Sequence, residues 1–166
     1  VTPVTDLLVH RGDLVVATQG RSFWILDDIT PLRDLRSTVT RADAHLFQPR
    51  PTYRTSARGN VGHWDRDRIY GATLPRSWKG QNPPEGAILY YSLAALPDSA
   101  VVEILEADGS LVRRFLGSSV PTDVGLNRFV WDLRYPRPRG GGMSGPRAAP
   151  GEYHVSVTAG DWSDTT

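Results

Sequence analysis

The chain has 166 residues, of which 39% are hydrophobic and 22% charged, a composition typical of a folded globular protein. Its 19 basic and 18 acidic residues give a formal net charge of +1, which offers no electrostatic basis for binding nucleic acid or an anionic membrane. The absence of cysteine excludes disulfides and thiolate metal sites. No apolar run reaches the roughly 18 residues of a membrane helix, and no signal-peptide pattern is found.

The N-terminal residues predict three β-strands joined by short turns that contain glycine. These strands are Val4–Val9, Asp13–Thr18 and Ser22–Asp27. In the third strand, SFWILD, consecutive apolar side chains alternate between the two faces, so both faces are apolar. Because a small isolated meander is marginal in water, we expect this segment to need a neighbouring sheet on each side.

The middle of the chain gives weaker signals. Thr30 followed by Pro31 is typical of a helix start and predicts a short helix over PLRDLR. The segment LFQPRPTY is predicted to be extended because its prolines favour β or polyproline geometry. Residues 54–86 show no sustained periodicity and are interpreted as a long ordered loop or linker.

From Gly86 onward the pattern predicts five short strands with no clear helix between them. They are Ala87–Leu93, Ala100–Ala107, Ser110–Leu116, the NRFVWDL segment and the EYHVSVTA segment. Asp108-Gly109 is a strong hairpin-turn signal. Alternation in the last two strands places Trp131 and Tyr153 on the inward faces. Short strands at this spacing are typical of a β-sandwich.

Two parts of the chain resemble known families. The stretch VTDLLVHRGDLVVATQGRSFWILDDITPLRDL closely resembles the last blade of bacterial BNR/Asp-box propellers, also called sortilin-like or sialidase-like. HLFQPRP, NPPEGAILYYSL and GLNRFVWDLRYP are similar to the region that follows such propellers. The stretch from Gly86 to Gly160 resembles the immunoglobulin-like module of the flagellar hook-capping protein, on its Asp108-Gly109 turn, Trp131-Asp132 and Pro150-Gly151.

These resemblances imply an all-β fold, an immunoglobulin-like β-sandwich preceded by a remnant propeller blade (an antiparallel meander) and an irregular linker. The expected boundaries are 1–29 for the last-blade strands, 30–84 for the linker and 85–166 for the sandwich. The first hairpin would then lack partners because the rest of its propeller is missing from the sequence.

Several groups of residues are candidates for a catalytic or metal-binding site. Asp27 and Asp28 could bind calcium or act as acid and base, but neighbouring residues of a strand point to opposite faces, which favours a structural role. His63, Asp65 and Asp67 stand at alternate positions and are candidate metal ligands. The further Cys or His expected of a zinc site is absent nearby, so we interpret these residues as the polar side chains of a solvated loop. We therefore predict no catalytic residue, metal or cofactor.

Two further patterns concern ligands. RYPRPRGGG resembles an RNA-binding basic loop, but the balanced charge favours a simple connection, so no nucleic-acid partner is predicted. Gly140–Gly142 do not follow a strand and open a helix, which argues against phosphate binding. Among the aromatic residues, Tyr91 and Trp162 are the candidates for an exposed ligand-binding platform, for example for sugar rings.

The resemblances imply a non-catalytic structural or interaction region of a secreted, periplasmic or cell-surface bacterial protein. It would brace its own propeller and present a surface to protein or glycan partners, without membrane insertion. One alternative is an accessory part of a sialidase-like glycoside hydrolase, in which the loop Arg134–Gly145 reaches over the propeller and the catalytic residues lie elsewhere. A second alternative is a carbohydrate-binding module.

Overall fold

The computed structural model describes residues 2–35, 41–54, 84–137 and 145–166. These residues are predominantly β-strand in antiparallel sheets, which confirms the predicted all-β class. The possible metal ligands His63, Asp65 and Asp67, the 56–80 loop and Gly140–Gly142 lie outside the described residues. The chain divides into two compact units, of which the first contains Val1–Thr30 and the second contains Pro31–Arg54 and Gly86–Thr166.

The first unit holds an antiparallel sheet of three strands in chain order, here called the first sheet. Its strands are β1 (Val4–His10), β2 (Asp13–Thr18) and β3 (Phe23–Leu26). The two-residue turn between β1 and β2 is formed by Arg11 and Gly12, with φ of 50° and 84°. Positive φ at both central positions is the geometry that matches the twist of a hairpin, so the glycine is placed where the turn requires it.

A short helix, α1 (Thr30–Asp34), follows the first sheet, close to where the Thr30-Pro31 signal predicts one. The Asp28 carboxylate accepts the backbone N–H of Thr30 at 3.1 Å, and Asp28 itself has a φ of 56°. The Asp13 carboxylate in turn accepts the N–H of Asp28 at 2.9 Å. In the described contacts Asp28 thus acts in the turn that leads from β3 into the helix, which is a local structural role.

The second unit contains two antiparallel sheets. The second sheet has the order β4-β5-β8 and the third sheet the order β10-β9-β6-β7. Their bounds are β4 Ala44–Leu46, β5 Ala87–Leu93, β6 Ala100–Glu106, β7 Leu111–Leu116, β8 Gly125–Trp131, β9 Tyr153–Ala159 and β10 Trp162–Thr165. The chain passes from the second sheet to the third, returns as β8 beside β5, and crosses again to place β9 beside β6.

The two sheets of the second unit share one hydrophobic core. Alternate residues of each strand point into it, as the inward faces of β5 and β6 show in their buried-exposed alternation. The core side chains with the least exposure are Leu89, Tyr91, Val102, Ile104 and Val157. Trp131 is buried at the end of β8, and Tyr153 packs against the same core, as their alternation predicts.

A buried polar cluster fixes the loop before β8 to the core. The hydroxyl of Tyr91 donates a hydrogen bond to the carbonyl of Pro121. Asn127, the cross-strand partner of Tyr91, accepts the N–H of Asp123 at 2.9 Å and donates to the carbonyls of Asp123 and Gly125. Every polar atom of the buried Asn127 side chain therefore has a partner, which makes its burial tolerable.

Three elements differ from the sequence predictions. Ala44–Leu46, in the stretch interpreted as linker, forms β4 and pairs with β5. Trp162–Thr165 forms β10 and pairs with β9. A single turn of 3₁₀ helix at Gly117–Ser119 lies where no helix was predicted. All three are four residues long or shorter, so they are too short to show the periodicity from which an element is predicted.

Candidate functional site

The second unit contains a groove with a cavity volume of about 740 Å³, within the size range of ligand sites. Its floor is apolar and is formed by residues of β5, of β8 and of the segment just after β8. These residues are Ala87, Leu89, Trp131 and Leu133. One wall is the proline segment, defined as Gln48–Arg54, and the other wall runs from Ala148 to Val155. We call this site the β9 groove.

The proline segment leaves β4 as an extended chain. The N–H of Phe47 still donates to the carbonyl of Tyr90 at 3.0 Å, which is the last backbone bond on this side of β5. Beyond it, within the described residues, the backbones of Gln48, Thr52 and Tyr53 have no backbone partner. Pro49 and Pro51 hold the segment extended and have no N–H to donate. Gln48, Thr52 and Tyr53 therefore carry backbone groups without backbone partners among the described residues.

The opposite wall includes the start of β9, next to the last described pair between β9 and the C-terminal residue Thr166. Val155 and Thr166 exchange two backbone hydrogen bonds of 2.9 and 3.0 Å, so the N–H and C=O of Val155 face β10. Two residues earlier, Tyr153 points its N–H and C=O to the same side by the alternation of an antiparallel ladder. No described residue pairs with Tyr153 there, because the pairing of β10 ends at Val155.

Two contacts join the walls of the groove. At one end, Nη1 of Arg54 donates to the carbonyl of Ala148 at 2.8 Å. At the other end, the hydroxyl of Thr166 donates to Oε1 of Gln48. The proline segment is thereby held beside the third sheet, although the two walls lie about a hundred residues apart in the sequence.

An aromatic pair shapes the floor beside the β9 edge. The rings of Trp131 and Tyr153 meet edge to face, with centroids 5.2 Å apart. The indole N–H of Trp131 donates to the carbonyl of Arg134 at 3.2 Å, and the hydroxyl of Tyr153 donates to the carbonyl of Ala149 at 2.8 Å. Both polar ends are satisfied, so the rings contribute apolar surface and no reactive group.

The charged residues that line the groove are two arginines, Arg50 and Arg54, and one glutamate, Glu152. Within the part of the chain that the structure describes, the Arg54 guanidinium makes one hydrogen bond, to the Ala148 carbonyl, whereas a guanidinium has five N–H donors. Arg54 is exposed to solvent and can therefore donate to a ligand as well.

The structure does not bring the two predicted ligand-binding aromatics together on a surface. Tyr91 is fully buried, with its ring in the core and its hydroxyl on Pro121, so it offers no face for stacking. Burial, with the nearby Asp123 carboxylate as a second cause, raises the pKa of Tyr91 to about 12. Trp162, in β10, is half-buried and packs against the core. Neither residue lines the β9 groove.

The residues of the groove were not predicted as a site. The proline-rich QPRPTYR segment gave a signal, since it indicates extended backbone without ladder partners, but its position beside β9 depends on long-range packing. Within the described ranges, no group of three or more histidine and acidic side chains is placed to hold a metal ion. No helix among the described residues is long and apolar enough to cross a membrane.

A second surface of interest is the first sheet, whose apolar residues are exposed on both faces. Leu7 and Leu8, neighbours in β1 that point to opposite sides, are 59% and 58% exposed. All four residues of β3 are also exposed, with Phe23 at 74%. Large apolar side chains exposed on adjacent strands are typical of an interaction surface.

The comparisons with known proteins give no assignment. The chain matches no protein-family model, no curated protein and no solved structure.

Proposed function

We propose that this chain is a non-catalytic structural and interaction region of a secreted bacterial propeller protein. In this proposal the first sheet is part of the last propeller blade, and the second unit is an immunoglobulin-like module that braces the ring. The observation that carries the proposal is the exposure of apolar side chains on both faces of the first sheet. Blades of a propeller bury both faces against neighbouring blades, so such a sheet needs two apolar faces.

The topology of the second unit supports the immunoglobulin-like part of the proposal. The described residues of this unit form seven strands in two antiparallel sheets, and β8 returns to pair with β5 after two strands in the other sheet. Such a return is the Greek-key connection common in β-sandwiches. Trp131 lies on β8, outside the strand that carries the core tryptophan of antibody domains, so the support comes from the strand order and not from that residue.

The carbohydrate-binding alternative has less support, because the fully buried Tyr91 removes one of the two aromatics on which sugar stacking was predicted. A bracing and partner-binding role does not require that aromatic, and is therefore the function we favour.

The proposal is tested by the sequence that precedes Val1 in the gene and by the protein that includes it. Repeated four-stranded blade patterns upstream would support the proposal, and their absence would contradict it. In the longer protein, dye binding to exposed apolar surface should fall per molecule, because the first sheet would be covered. An unchanged signal would count against a covering ring.

A further inference from the structure

The second sheet ends laterally in β8, which pairs with β5 on one side only. The ladder between the two strands joins seven residues of each, from the pair Ala87–Trp131 to the pair Leu93–Gly125, without a bulge. Among the described residues no strand pairs with the other side of β8. Such an edge presents a row of backbone groups to which another strand can add. We call this side of the strand the β8 edge.

The hydrogen bonds of β5 show which residues of β8 point their backbone groups to this edge. The N–H of Phe47 donates to the carbonyl of Tyr90 at 3.0 Å, so Tyr90 points its backbone groups to β4. By the alternation of an antiparallel ladder, the next residue, Tyr91, points its backbone groups to its β8 partner Asn127. Every second residue of β8, counted from Asn127, therefore bonds to β5, and the others face the β8 edge. The others are Leu126, Arg128 and Val130.

These three residues also share the outer face of the second sheet. Asn127 and Phe129, which lie between them, are buried, whereas Leu126 is 48% exposed, Arg128 is exposed and Val130 is half-buried. In the described contacts, none of the three has a backbone partner on the side away from β5. The β8 edge thus combines main-chain donors and acceptors with the outward side-chain pattern Leu-x-Arg-x-Val.

The edge strand of the third sheet, β7, is protected against strand addition in ways that β8 is not. Its pairing with β6 is interrupted by a register shift. Its two charged residues, Arg113 and Arg114, form ion pairs with Asp132 and Glu103 of 2.9 and 2.6 Å. Bulges and charges are the usual protection of an edge. β8 has no bulge and no proline, and its one charge, Arg128, has no ion-pair partner among the described residues.

We propose that the β8 edge binds an extended strand of a partner protein in antiparallel orientation. The side chains of that strand opposite Leu126, Arg128 and Val130 are apolar, acidic and apolar. Residues directly opposite each other in such a pair have Cβ atoms about 5 Å apart, so a carboxylate opposite Arg128 reaches its guanidinium. Strand addition derives its affinity from main-chain hydrogen bonds and its specificity from alternate side chains.

A second copy of this chain fits the same edge less well. In the antiparallel pairing of two copies that uses all three outward residues, Arg128 lies opposite the same arginine of the other copy, and Leu126 lies opposite Val130. Like charges directly opposite each other destabilise a strand pair. The charge of the β8 edge therefore favours an acidic partner strand over pairing between copies.

This inference extends the interaction role proposed above by naming a surface and a partner class, and it uses the second unit alone. A negative result in its test would leave the assignment of the first sheet to a propeller blade untouched. Conversely, a gene without propeller repeats would leave the β8 edge as it is.

The test begins with a displayed library of random nine-residue peptides, selected on the full 166-residue chain. Enriched peptides are synthesised, and their affinities are measured by fluorescence anisotropy for the wild type, Arg128→Glu and the control Arg33→Glu. Arg33 is an exposed arginine of α1, outside both sheets. We expect enriched sequences with an apolar-x-acidic-x-apolar pattern, binding to R128E weaker by at least about fivefold, and binding to R33E unchanged within about twofold.

A charge exchange separates recognition of the carboxylate from a loss of structure in the variant. Replacing the peptide's acidic residue by lysine should weaken binding to the wild type about as much as Arg128→Glu does. The lysine peptide should bind R128E within about threefold of the original pair, because the opposite charges are restored in exchanged positions. Losses that simply add when both changes are combined would overturn the proposal.

Methylation of single peptide nitrogens tests the main-chain hydrogen bonds. With the acidic residue opposite Arg128, the N–H of that residue points to the β8 edge and the N–H of the next residue points away. Methylation at the acidic residue should weaken binding by at least about tenfold, and methylation at the next residue by less than about twofold. Equal effects at the two positions would contradict strand addition.

Amide hydrogen exchange shows where the strand binds. In the free chain the amides of Arg128 and Val130 should exchange faster than those of Asn127 and Phe129, and they should slow when peptide is bound. The proposal would be overturned by a selection that enriches no peptide, or by bound peptides that leave exchange at Arg128 unchanged.

Two further results would assign the β8 edge to another occupant and thereby contradict the proposal. If the Arg128 amide of the free chain is as protected as that of Phe129 at every protein concentration, another part of the same chain covers the edge. If its protection rises with protein concentration, a second copy covers it.

Discussion

The hydroxyl of Tyr91 connects β5 to the loop before β8 across the core. It is the only polar atom of a fully buried side chain, and its partner is the backbone carbonyl of Pro121. Pro121 is half-buried, so water reaches its carbonyl less freely than an exposed one, and the hydroxyl supplies a hydrogen bond that contributes about 1 kcal/mol. The residue predicted as a ligand platform is thus a core residue with a polar anchor.

Tyr91→Phe should lower the free energy of unfolding by about 1–2 kcal/mol, because the ring stays packed while the Pro121 carbonyl loses its donor. Tyr53→Phe is the matched control, since Tyr53 is 87% exposed and should change stability by less than about 0.5 kcal/mol. Urea unfolding followed by tryptophan fluorescence measures both. Equal effects of the two substitutions would show that the Tyr91 hydroxyl is not a structural anchor.

The raised pKa of Tyr91 predicts how the free energy of unfolding changes at alkaline pH. Burial and Asp123 raise the pKa of Tyr91 to about 12, and the hydrogen bond to Glu106 raises the pKa of Tyr135 to about 12. The folded state therefore holds these protons after the unfolded chain has released them near pH 10. Stability is fully present below pH 10 and falls as the pH rises towards 12. Urea unfolding at several pH values should show this fall, with a smaller slope in Tyr91→Phe; an identical slope would contradict it.

The Asn127 side chain also fixes the loop before β8 to the core. Asn127→Ala should destabilise the protein by about 2–3 kcal/mol, because the N–H of Asp123 and two carbonyls lose their partners. Asn127→Asp keeps the acceptor for the Asp123 N–H but places a carboxylate against the two carbonyls. We therefore expect Asn127→Asp to be more stable at pH 4 than at pH 7 relative to wild type. Thermal unfolding at both pH values measures this, and no pH difference would contradict the assignment.

At the scale of elements, the pairing of β5 with β8 begins with a close backbone approach. A Cβ built on Gly86 would lie 2.1 Å from the carbonyl oxygen of Trp131, and the φ of Gly86 is 142°. Any side chain here would push β5 away from β8 where their ladder starts, at the pair Ala87–Trp131. Only glycine fits both the space and the backbone angle.

Gly86→Ala should cost at least about 3 kcal/mol of stability, because backbone must move to admit the methyl group. Gly109→Ala is the matched control: its φ is 84°, but nothing lies within 4 Å of the added Cβ. The control should cost about 1 kcal/mol, from backbone strain alone. Chemical unfolding of both variants gives the comparison. Similar losses would mean that the close approach to Trp131 is relaxed in solution.

Much of the second unit could be predicted from alternation, and the remainder could not for physical reasons. Phe129 and Trp131 on β8 and Val155 and Val157 on β9 are buried as their spacing predicts. The sequence of β5 also indicates which of its two faces is inward, although this was not predicted. Leu89, Tyr91 and Leu93 form its more apolar set, and they are the ones that face the core. The edge strands β4 and β10 were missed because strands of three or four residues are too short to show a period.

The β9 groove could not be predicted, because it depends on contacts between distant parts of the sequence. The proline segment follows β4 of the second sheet, whereas β9 belongs to the third sheet, and a hydrogen bond from Arg54 to Ala148 joins the two walls. Local pattern identifies an extended segment but not the surface on which it lies. Sequence periodicity is a local property, so it does not predict a site formed by segments that lie far apart in the chain.

At the scale of the whole molecule, the two units differ in how they bury apolar surface. The second unit encloses a core, whereas the first sheet exposes leucines and aromatics on both faces. A small sheet with apolar side chains exposed on both faces has little to stabilise it in water. We therefore expect the isolated chain to have a stable second unit and a first sheet that opens easily or associates.

Self-association should depend on the first sheet. The double substitution Leu8→Thr with Phe23→Thr should lower the association seen in sedimentation velocity at rising protein concentration, since it removes two exposed apolar side chains from different strands. Leu111→Thr is the control, because Leu111 is 53% exposed on β7 of the second unit. If the control reduced association as much as the double substitution, the first sheet would not be the surface through which the chain associates.

The most direct test of the account is amide hydrogen exchange, measured in this chain and in the same chain joined to the residues that precede it in the gene. In this chain, the amides of Val15–Ala17 should exchange much faster than those of Val102–Ile104, because the first sheet exposes apolar side chains on both faces. In the longer protein, exchange at Val15–Ala17 should slow by several orders of magnitude as neighbouring blades bury the sheet. Slow exchange at Val15–Ala17 already in this chain, or no slowing in the longer one, would contradict the assignment of the first sheet to a propeller blade.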